Sequence, residues 1–215
     1  MFDPTAPDSP HLEGIQPTWR DLGFVCEVLN VVWERRSYSW NEIESKLHGR
    51  AGESKIQNTV SFLKKLDLLD SEYRIHINGI WLANNFEPAP QSTISQGIQL
   101  GSKEILSDTE RTIFRQLLFQ YDTLPMLATI DLVSSETVSD KETEDRAVRY
   151  QERVEHLDKY DGGWSTGTWK KKAQAHFEWA KQLDLARVDQ KEELELTQMG
   201  EVLDQSLSHL YHPDW

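Results

Sequence analysis

The sequence predicts a mainly helical protein with two small β-hairpins, because one pattern of apolar residues occurs twice. Residues 56–68 and residues 173–185 both place apolar side chains at spacings of 4, 3, 3 and 2. The two runs also end alike, in KKLDL and KQLDL. In each copy an amphipathic helix precedes a polar turn and a stretch of alternating apolar and polar residues, which is typical of a half-buried strand. The repeat indicates two related domains in one chain of 215 residues.

Three helices are predicted in the first copy. Apolar residues recur at every third or fourth position over residues 18–35, which is typical of a helix with one buried face. Ser39 and Glu42 have the spacing of a capping box, so a second helix begins there, and Gly49 ends it. The third helix is predicted over residues 53–66.

A hairpin is predicted to follow the third helix. Asp67 stands where the chain must turn, and aspartate tolerates the left-handed backbone that a sharp turn needs. Apolar and polar residues alternate over residues 73–78, which indicates a strand. Asn78-Gly79 is a hairpin signal, and residues 80–82 are the predicted returning strand.

The second copy is predicted to contain more helices than the first. Ser107 and Glu110 form another capping box, which opens its first helix. Three further helices are predicted at residues 125–133, 138–159 and 167–182. Two strands are predicted at residues 185–188 and 193–196, and a closing helix is predicted at residues 198–210.

Proline, glycine and polar residues mark the segments outside the two domains. Residues 1–17 contain four prolines and few apolar residues, and they are predicted to form a flexible N-terminal arm. The first domain is predicted over residues 18–86 and the second over residues 107–215, where the second helix is extended. Residues 87–106 are rich in Pro, Gly, Ser and Gln and are predicted to be a linker.

The chain is acidic overall, but the segments around both repeated helices are basic. The net charge of −13 disfavours nonspecific attraction to nucleic acid. Residues 35–65, however, carry seven basic and three acidic residues, and residues 165–182 carry four basic residues and one acidic residue. The basic residues of these segments either contact phosphates or only keep the outer helix faces in contact with water.

The second copy resembles the end of a winged helix-turn-helix domain. The residues that carry the resemblance are Leu183-Asp184-Leu185, Leu194-Glu195-Leu196-Thr197, Gly200 and Leu203. In that superfamily a recognition helix leads into a two-stranded wing and then a closing helix. The resemblance implies tandem winged helix-turn-helix domains, mainly α with two small β-wings. The resemblance is to the superfamily as a whole, and the sequence does not identify a subfamily.

The resemblance implies that the third helix of each domain contacts double-stranded DNA. Amide side chains can bind adenine and lysines can bind guanine or phosphate, mostly from the N-terminal half of such a helix. The predicted DNA-binding residues are Lys55, Gln57, Asn58, Ser61, Lys65, Thr168, Lys170, Lys171, Lys172 and Gln174. The expected function is DNA recognition without catalysis, in a transcription regulator or in the DNA-reading subunit of a DNA-processing or defence complex.

Enzymatic signatures do not occur in the sequence. It contains no phosphate-binding glycine loop, nucleophile elbow or paired histidine-glutamate helix, so we expect no enzyme activity, no cofactor and no metal. Cys26 is the sole cysteine, which excludes an intramolecular disulfide. No apolar run approaches the roughly 20 residues that span a bilayer. We therefore expect a cytoplasmic protein without membrane contact.

A protein-interaction adaptor is the alternative function. The acidic net charge and the eight tryptophans favour it, because tryptophan is enriched at interface hot spots. Trp81, Trp164 and Trp215 are the tryptophans expected to be the most exposed. The partner would be another protein in a larger assembly or a second copy of the chain.

Overall fold

The computed structural model describes residues 21–35, 39–49, 51–85, 106–158 and 164–211. Within these ranges the chain is mainly helical and has one small antiparallel sheet. The predicted N-terminal arm at residues 1–17, the predicted linker except for Leu106, and Trp215 lie outside the described residues. The described elements are α1 (Leu22–Arg35), α2 (Trp40–Leu47), α3 (Glu53–Lys65), α4 (Ile77–Asn85), α5 (Asp108–Tyr121), α6 (Thr123–Ser135), β1 (Val138–Ser139), α7 (Thr143–Asp158), α8 (Thr166–Gln182), β2 (Ala186–Val188), β3 (Glu193–Leu196) and α9 (Gln198–Tyr211).

The predicted start of the second helix is confirmed by a capping contact, whereas the first helix, predicted over residues 18–35, begins at Leu22. The Ser39 hydroxyl accepts a hydrogen bond from the Glu42 amide, so α2 begins where the capping box places it. Gly49 has a φ of 87°, a left-handed conformation that favours glycine just after a helix. The apolar stripe of α3 is buried, with Val60 4% exposed and Leu63 fully buried. This stripe holds α3 against α1.

The hairpin predicted around Asn78-Gly79 is wrong, because that segment belongs to helix α4. The first hairpin is shorter and contains a single bridge, between Leu69 and Ile75. The amide of His76 then donates to the Leu68 carbonyl and closes the hairpin. Gly79 lies against the same carbonyl, where an added Cβ would be 2.8 Å from the oxygen. The glycine therefore permits a close helix–hairpin approach instead of forming a turn.

The second half contains the sheet, whose strand order is β1-β3-β2. Strands β2 and β3 are confirmed close to their predicted positions, with Val188 opposite Leu194. Strand β1 is not predicted, because the sequence suggested one helix over residues 138–159. Val138 instead pairs with Leu194 on the other side of β3, and α7 begins at Thr143. The two-residue strand is too short to give a visible alternation.

The repeated turns have the same backbone geometry, as the sequence predicts. Asp67 has a φ of 54° and Asp184 a φ of 58°. Each amide bonds, at 3.2 Å, to the carbonyl three residues earlier. Beyond them, Asp70 and Asp189 play matching roles, since each carboxylate accepts two backbone N–H bonds of 2.8 Å within its hairpin turn. From the third helix through the hairpin, the two copies therefore differ mainly in hairpin length.

The helices that follow the two hairpins also approach them in the same way. The amide of Thr197 donates to Leu185 O at 3.0 Å, as His76 donates to Leu68 O. An added Cβ on Gly200 would lie 2.0 Å from Leu185 O, the counterpart of the contact at Gly79. We conclude that the repeat continues from the third helix through the closing helix.

The two halves pack against each other mainly through α4 and α5, and their third helices touch through one pair of aromatic rings. The rings of Phe62 on α3 and Trp179 on α8 have centroids 5.5 Å apart. These residues are equivalent in the repeat, since 117 positions separate them as they separate Asp67 from Asp184. The Leu22 amide also donates to the Gln182 side chain at 2.9 Å. The buried apolar residues of both halves thus form a continuous core.

Candidate nucleic-acid interface

Polar side chains form a stripe along α3, on the side opposite its buried apolar residues. After Glu53, α3 contains no acidic residue. Gln57, Ser61 and Lys65 are exposed, and Asn58 is half-buried. The side chains of Gln57, Asn58 and Ser61 make no hydrogen bond to another residue that the structure describes. Their polar groups are therefore available to an external partner. We define the α3 stripe as Ser54, Gln57, Asn58, Ser61 and Lys65.

A shallow cleft lies within the α3 stripe. It is lined by Asn58, Ser61, Phe62 and Lys65 and has a volume of about 210 Å³. Pockets for drug-sized ligands are usually about 300–1,000 Å³. Phe62 is 2% exposed, and the surface of the cleft is polar and apolar in equal parts. The cleft suits contact with a larger partner better than enclosure of a small molecule.

Two lysines of α3 are directed toward aromatic rings of the first half. The Lys55 Nζ lies 4.4 Å from the Phe24 ring centroid, and the Lys64 Nζ lies 3.9 Å from that of Tyr73. Burial lowers the pKa of Lys55, and the charges of Asp21 and Glu27 oppose this effect. Lys55 is therefore half-buried over its own core, although the sequence predicts a DNA contact for it.

The lysine run of α8 contains one exposed side chain. Lys170 forms an ion pair of 2.8 Å with Glu144, and Lys171 is exposed. Lys172 is only 4% exposed, and its Nζ lies 3.9 Å from the Trp164 ring centroid. Burial lowers the pKa of Lys172. In this position the Lys172 ammonium group is not accessible to a phosphate.

The other predicted residues of α8 lie among intramolecular contacts. The hydroxyls of Thr168 and Ser165 are 3.1 Å apart at the start of the helix. Gln174 is half-buried. Further along the helix, Lys181 forms an ion pair of 2.9 Å with Asp140. Lys170 and Lys181 of α8 are thus engaged by acidic residues of the same half, whereas Lys171 is exposed.

The second hairpin is acidic. Its turn and strands carry Asp189, Glu192, Glu193 and Glu195. Arg187 forms an ion pair of 2.6 Å with Glu195, and Lys141 forms another with Glu192, so two of these four charges are neutralised. An acidic hairpin repels phosphate, so we do not expect this hairpin to contact a nucleic-acid backbone.

A buried polar network beside α8 is not predicted by the sequence. The His176 Nε2 lies 2.6 Å from an Asp122 carboxylate oxygen, and both side chains are fully buried. The His176 Nδ1 lies 2.7 Å from the Lys172 carbonyl oxygen. The Tyr150 hydroxyl lies 3.1 Å from the same nitrogen. Burial, together with the Asp122 charge, raises the pKa of Tyr150 well above its usual value.

This network has a structural role. It joins Asp122, which precedes α6, to Tyr150 on α7 and His176 on α8. The sequence could have indicated that His176 is buried, because it lies three positions after Ala173 and one before Phe177, on the apolar face of α8. A histidine at such a position is more often a hydrogen-bonded core residue than a metal ligand.

Comparisons with protein-family models, with curated proteins and with solved structures found no match for this chain. Among the residues that the structure describes, no helix combines the length and apolar character needed to span a bilayer. The same residues contain no group of three His, Cys, Asp or Glu side chains arranged to hold a metal ion.

Proposed function

We propose that the chain consists of two winged helix-turn-helix units and recognises double-stranded DNA without catalysis. It would act as a transcription regulator or as the DNA-reading subunit of a DNA-processing or defence complex. The order α6-β1-α7-α8-β2-β3, with β3 in the middle of the sheet, supports the assignment of the second unit. The matching turns, hairpin and closing helix support the same assignment for the first unit, whose wing is reduced to a single bridge.

The α3 stripe is the observation that carries the proposed DNA recognition. The major groove is about 12 Å wide and admits an α-helix. Gln57 and Asn58 present amides that can bind adenine bidentately, and both lie in the N-terminal half of α3. Ser61 and Lys65 continue the stripe toward the C-terminal end, where a hydroxyl and an ammonium group can bind phosphate or base edges.

The acidic charge of the chain makes these base contacts more important. A net charge of −13 predicts weak nonspecific binding that is lost as salt increases. Binding to a preferred sequence would then depend on hydrogen bonds from α3 more than on general attraction to phosphates. This expectation separates the proposal from nonspecific binding to any polyanion.

Fluorescence anisotropy with labelled duplexes of random sequence, followed by duplexes enriched from them, tests the proposal. We expect wild-type protein to bind at low salt and to prefer the enriched duplex. The double variant Gln57→Ala and Asn58→Ala should lose that preference, by roughly 1–3 kcal/mol for each bidentate contact. Asn84→Ala, an exposed residue on α4, is the matched control and should bind like wild type. Absence of duplex binding at micromolar protein would refute the proposal.

A protein-interaction adaptor is the second candidate, supported by an apolar surface on α4. Ile77 is 66% exposed and Trp81 is 56% exposed, and they lie one helical turn apart. Trp164, by contrast, is half-buried, and its ring centroid lies 4.6 Å from that of Trp169. If the adaptor function is correct, Trp81→Ala should weaken an identified protein complex in co-purification while DNA binding remains unchanged. Equal recovery of the complex with Trp81→Ala would argue against this surface.

A further inference from the structure

We infer that α3 is the single DNA-reading helix of this chain, so that one chain recognises one contiguous element and not two half-sites. This inference rests on the proposed function and specifies how its site is used. It follows from the contact between the two third helices and from the difference between their exposed sides.

The third helices lie too close together to read two half-sites. Paired helix-turn-helix units place their recognition helices in major grooves about 34–36 Å apart. Here Phe62 of α3 and Trp179 of α8 are in ring contact, with centroids 5.5 Å apart. Phe62 is close to the middle of α3, and Trp179 is within two turns of the middle of α8. With a rise of 1.5 Å per residue and a helix diameter of about 10–12 Å, the helix centres lie within about 25 Å.

Further contacts show that the proximity is not confined to one pair of rings. The Gln182 side chain accepts a hydrogen bond from the Leu22 amide, at the start of the first half. The charge of Lys65 reaches Lys172 and contributes to the lowering of its pKa. The hydrogen bond ties α8 to the start of α1, and α1 in turn packs against α3.

The same proximity prevents both helices from entering one groove. A major groove about 12 Å wide accommodates a single helix with its side chains. If α3 lies in the groove, α8 therefore lies outside it, and the next groove is beyond its reach. A duplex can be read by one helix or by the other.

Equivalent positions on the two helices favour α3. Asn58 of α3 corresponds to Ala175, which is fully buried. Lys65 corresponds to Gln182, which is 3% exposed and bonded to Leu22. Ser61 corresponds to Glu178, whose carboxylate forms an ion pair of 2.8 Å with Lys181. At these three positions α8 has a buried or ion-paired residue where α3 presents an amide, a hydroxyl or an ammonium group. The other two positions of the α3 stripe, Gln57 and Ser54, correspond to the half-buried Gln174 and the exposed Lys171.

Selection from duplexes with a randomised centre of roughly two helical turns, about 20 base pairs, tests this inference. The full-length chain is compared with Gln57→Ala and Gln174→Ala, which change equivalent positions of the two helices. Native mass spectrometry then gives the number of chains on each enriched duplex. We expect one contiguous conserved element per bound chain. Gln57→Ala should weaken binding to it by roughly 5- to 150-fold, the equivalent of one bidentate base contact. Gln174→Ala should bind like wild type.

Three other outcomes would overturn the inference in distinguishable ways. Two conserved half-sites on a duplex that carries a single chain would show that both helices read DNA. Loss of binding with Gln174→Ala and not with Gln57→Ala, in variants that melt like wild type, would assign reading to α8. Both results would leave the proposed DNA recognition intact. If no duplex is enriched and none binds, the proposed function itself fails.

Discussion

Replacing Gly200 by alanine tests the repeated approach of the closing helix to its hairpin. The added Cβ would lie 2.0 Å from Leu185 O, whereas carbon and carbonyl oxygen normally stay about 3.3 Å or more apart. Helix α9 must therefore move away by about 1 Å, which weakens the bond from the Thr197 amide to the same oxygen. Overpacking costs about 1–3 kcal/mol and a lost hydrogen bond about 1 kcal/mol. The higher helix propensity of alanine offsets about 1 kcal/mol, so we expect a net loss of about 2 kcal/mol.

Two other glycines provide the comparison. At Gly79 the added Cβ would lie 2.8 Å from Leu68 O and 2.7 Å from the movable side chain of Ile75, so Gly79→Ala should destabilise less. At Gly167 the nearest atom would be 3.8 Å away, and Gly167→Ala should be neutral or stabilising by up to about 1 kcal/mol.

Urea denaturation followed by circular dichroism gives the three free energies of unfolding. From the most stable to the least stable variant, the expected order is Gly167→Ala, Gly79→Ala and Gly200→Ala. If Gly200→Ala were as stable as Gly167→Ala, α9 could not approach Leu185 as described, and the equivalence of the two closing helices would be wrong.

Four further predictions concern the core and the charged groups. Phe177→Ala should lower the free energy of unfolding by about 3–5 kcal/mol and Val60→Ala by about 1–3 kcal/mol, measured by urea denaturation, because both side chains are buried. Burial raises the pKa of the Asp21 carboxyl to about 6, above its unfolded value of about 3.9. The stability that the protonated carboxyl contributes is therefore fully present below pH 4 and is lost as the pH rises through 6. Asp21→Asn should therefore exceed wild type in stability at pH 7.5, by up to about 2 kcal/mol, and lose that advantage at pH 4. The Cys26 thiol, whose pKa is raised well above its usual value by burial, should react with a disulfide reagent only after unfolding. Lys65→Ala should reduce the slope of log affinity against log salt by about 0.9, the value for one lost phosphate contact, in anisotropy titrations.

The repeated third helices and their turns could be predicted because their signals are local. Apolar spacing sets the buried stripe of each helix, and aspartate tolerates the positive φ observed at Asp67 and Asp184. The first hairpin could not be predicted in the same way. Asn78-Gly79 has the composition of a turn, but the close approach of Gly79 to Leu68 O is a tertiary requirement that a local pattern does not reveal.

Whether a predicted site residue is free to contact DNA depends on its tertiary contacts. The exposed side of α3 follows from its helical period, so Gln57 and Ser61 lie where the sequence places them. The lysine run of α8 looks equally available in the sequence. Lys172 falls on the buried side and contacts Trp164, while Lys170 meets Glu144 of another helix. A partner on another helix, such as Glu144, is known only once the helices are packed.

Backbone amide shifts in NMR spectra of the labelled protein, recorded during titration with an enriched duplex, test the central claim most directly. We expect the largest changes along Glu53–Lys65, centred on Gln57 and Asn58, and small changes along α8. An unchanged spectrum at saturating duplex would contradict DNA recognition. Changes concentrated on α4, around Ile77 and Trp81, would show that α3 does not form the interface.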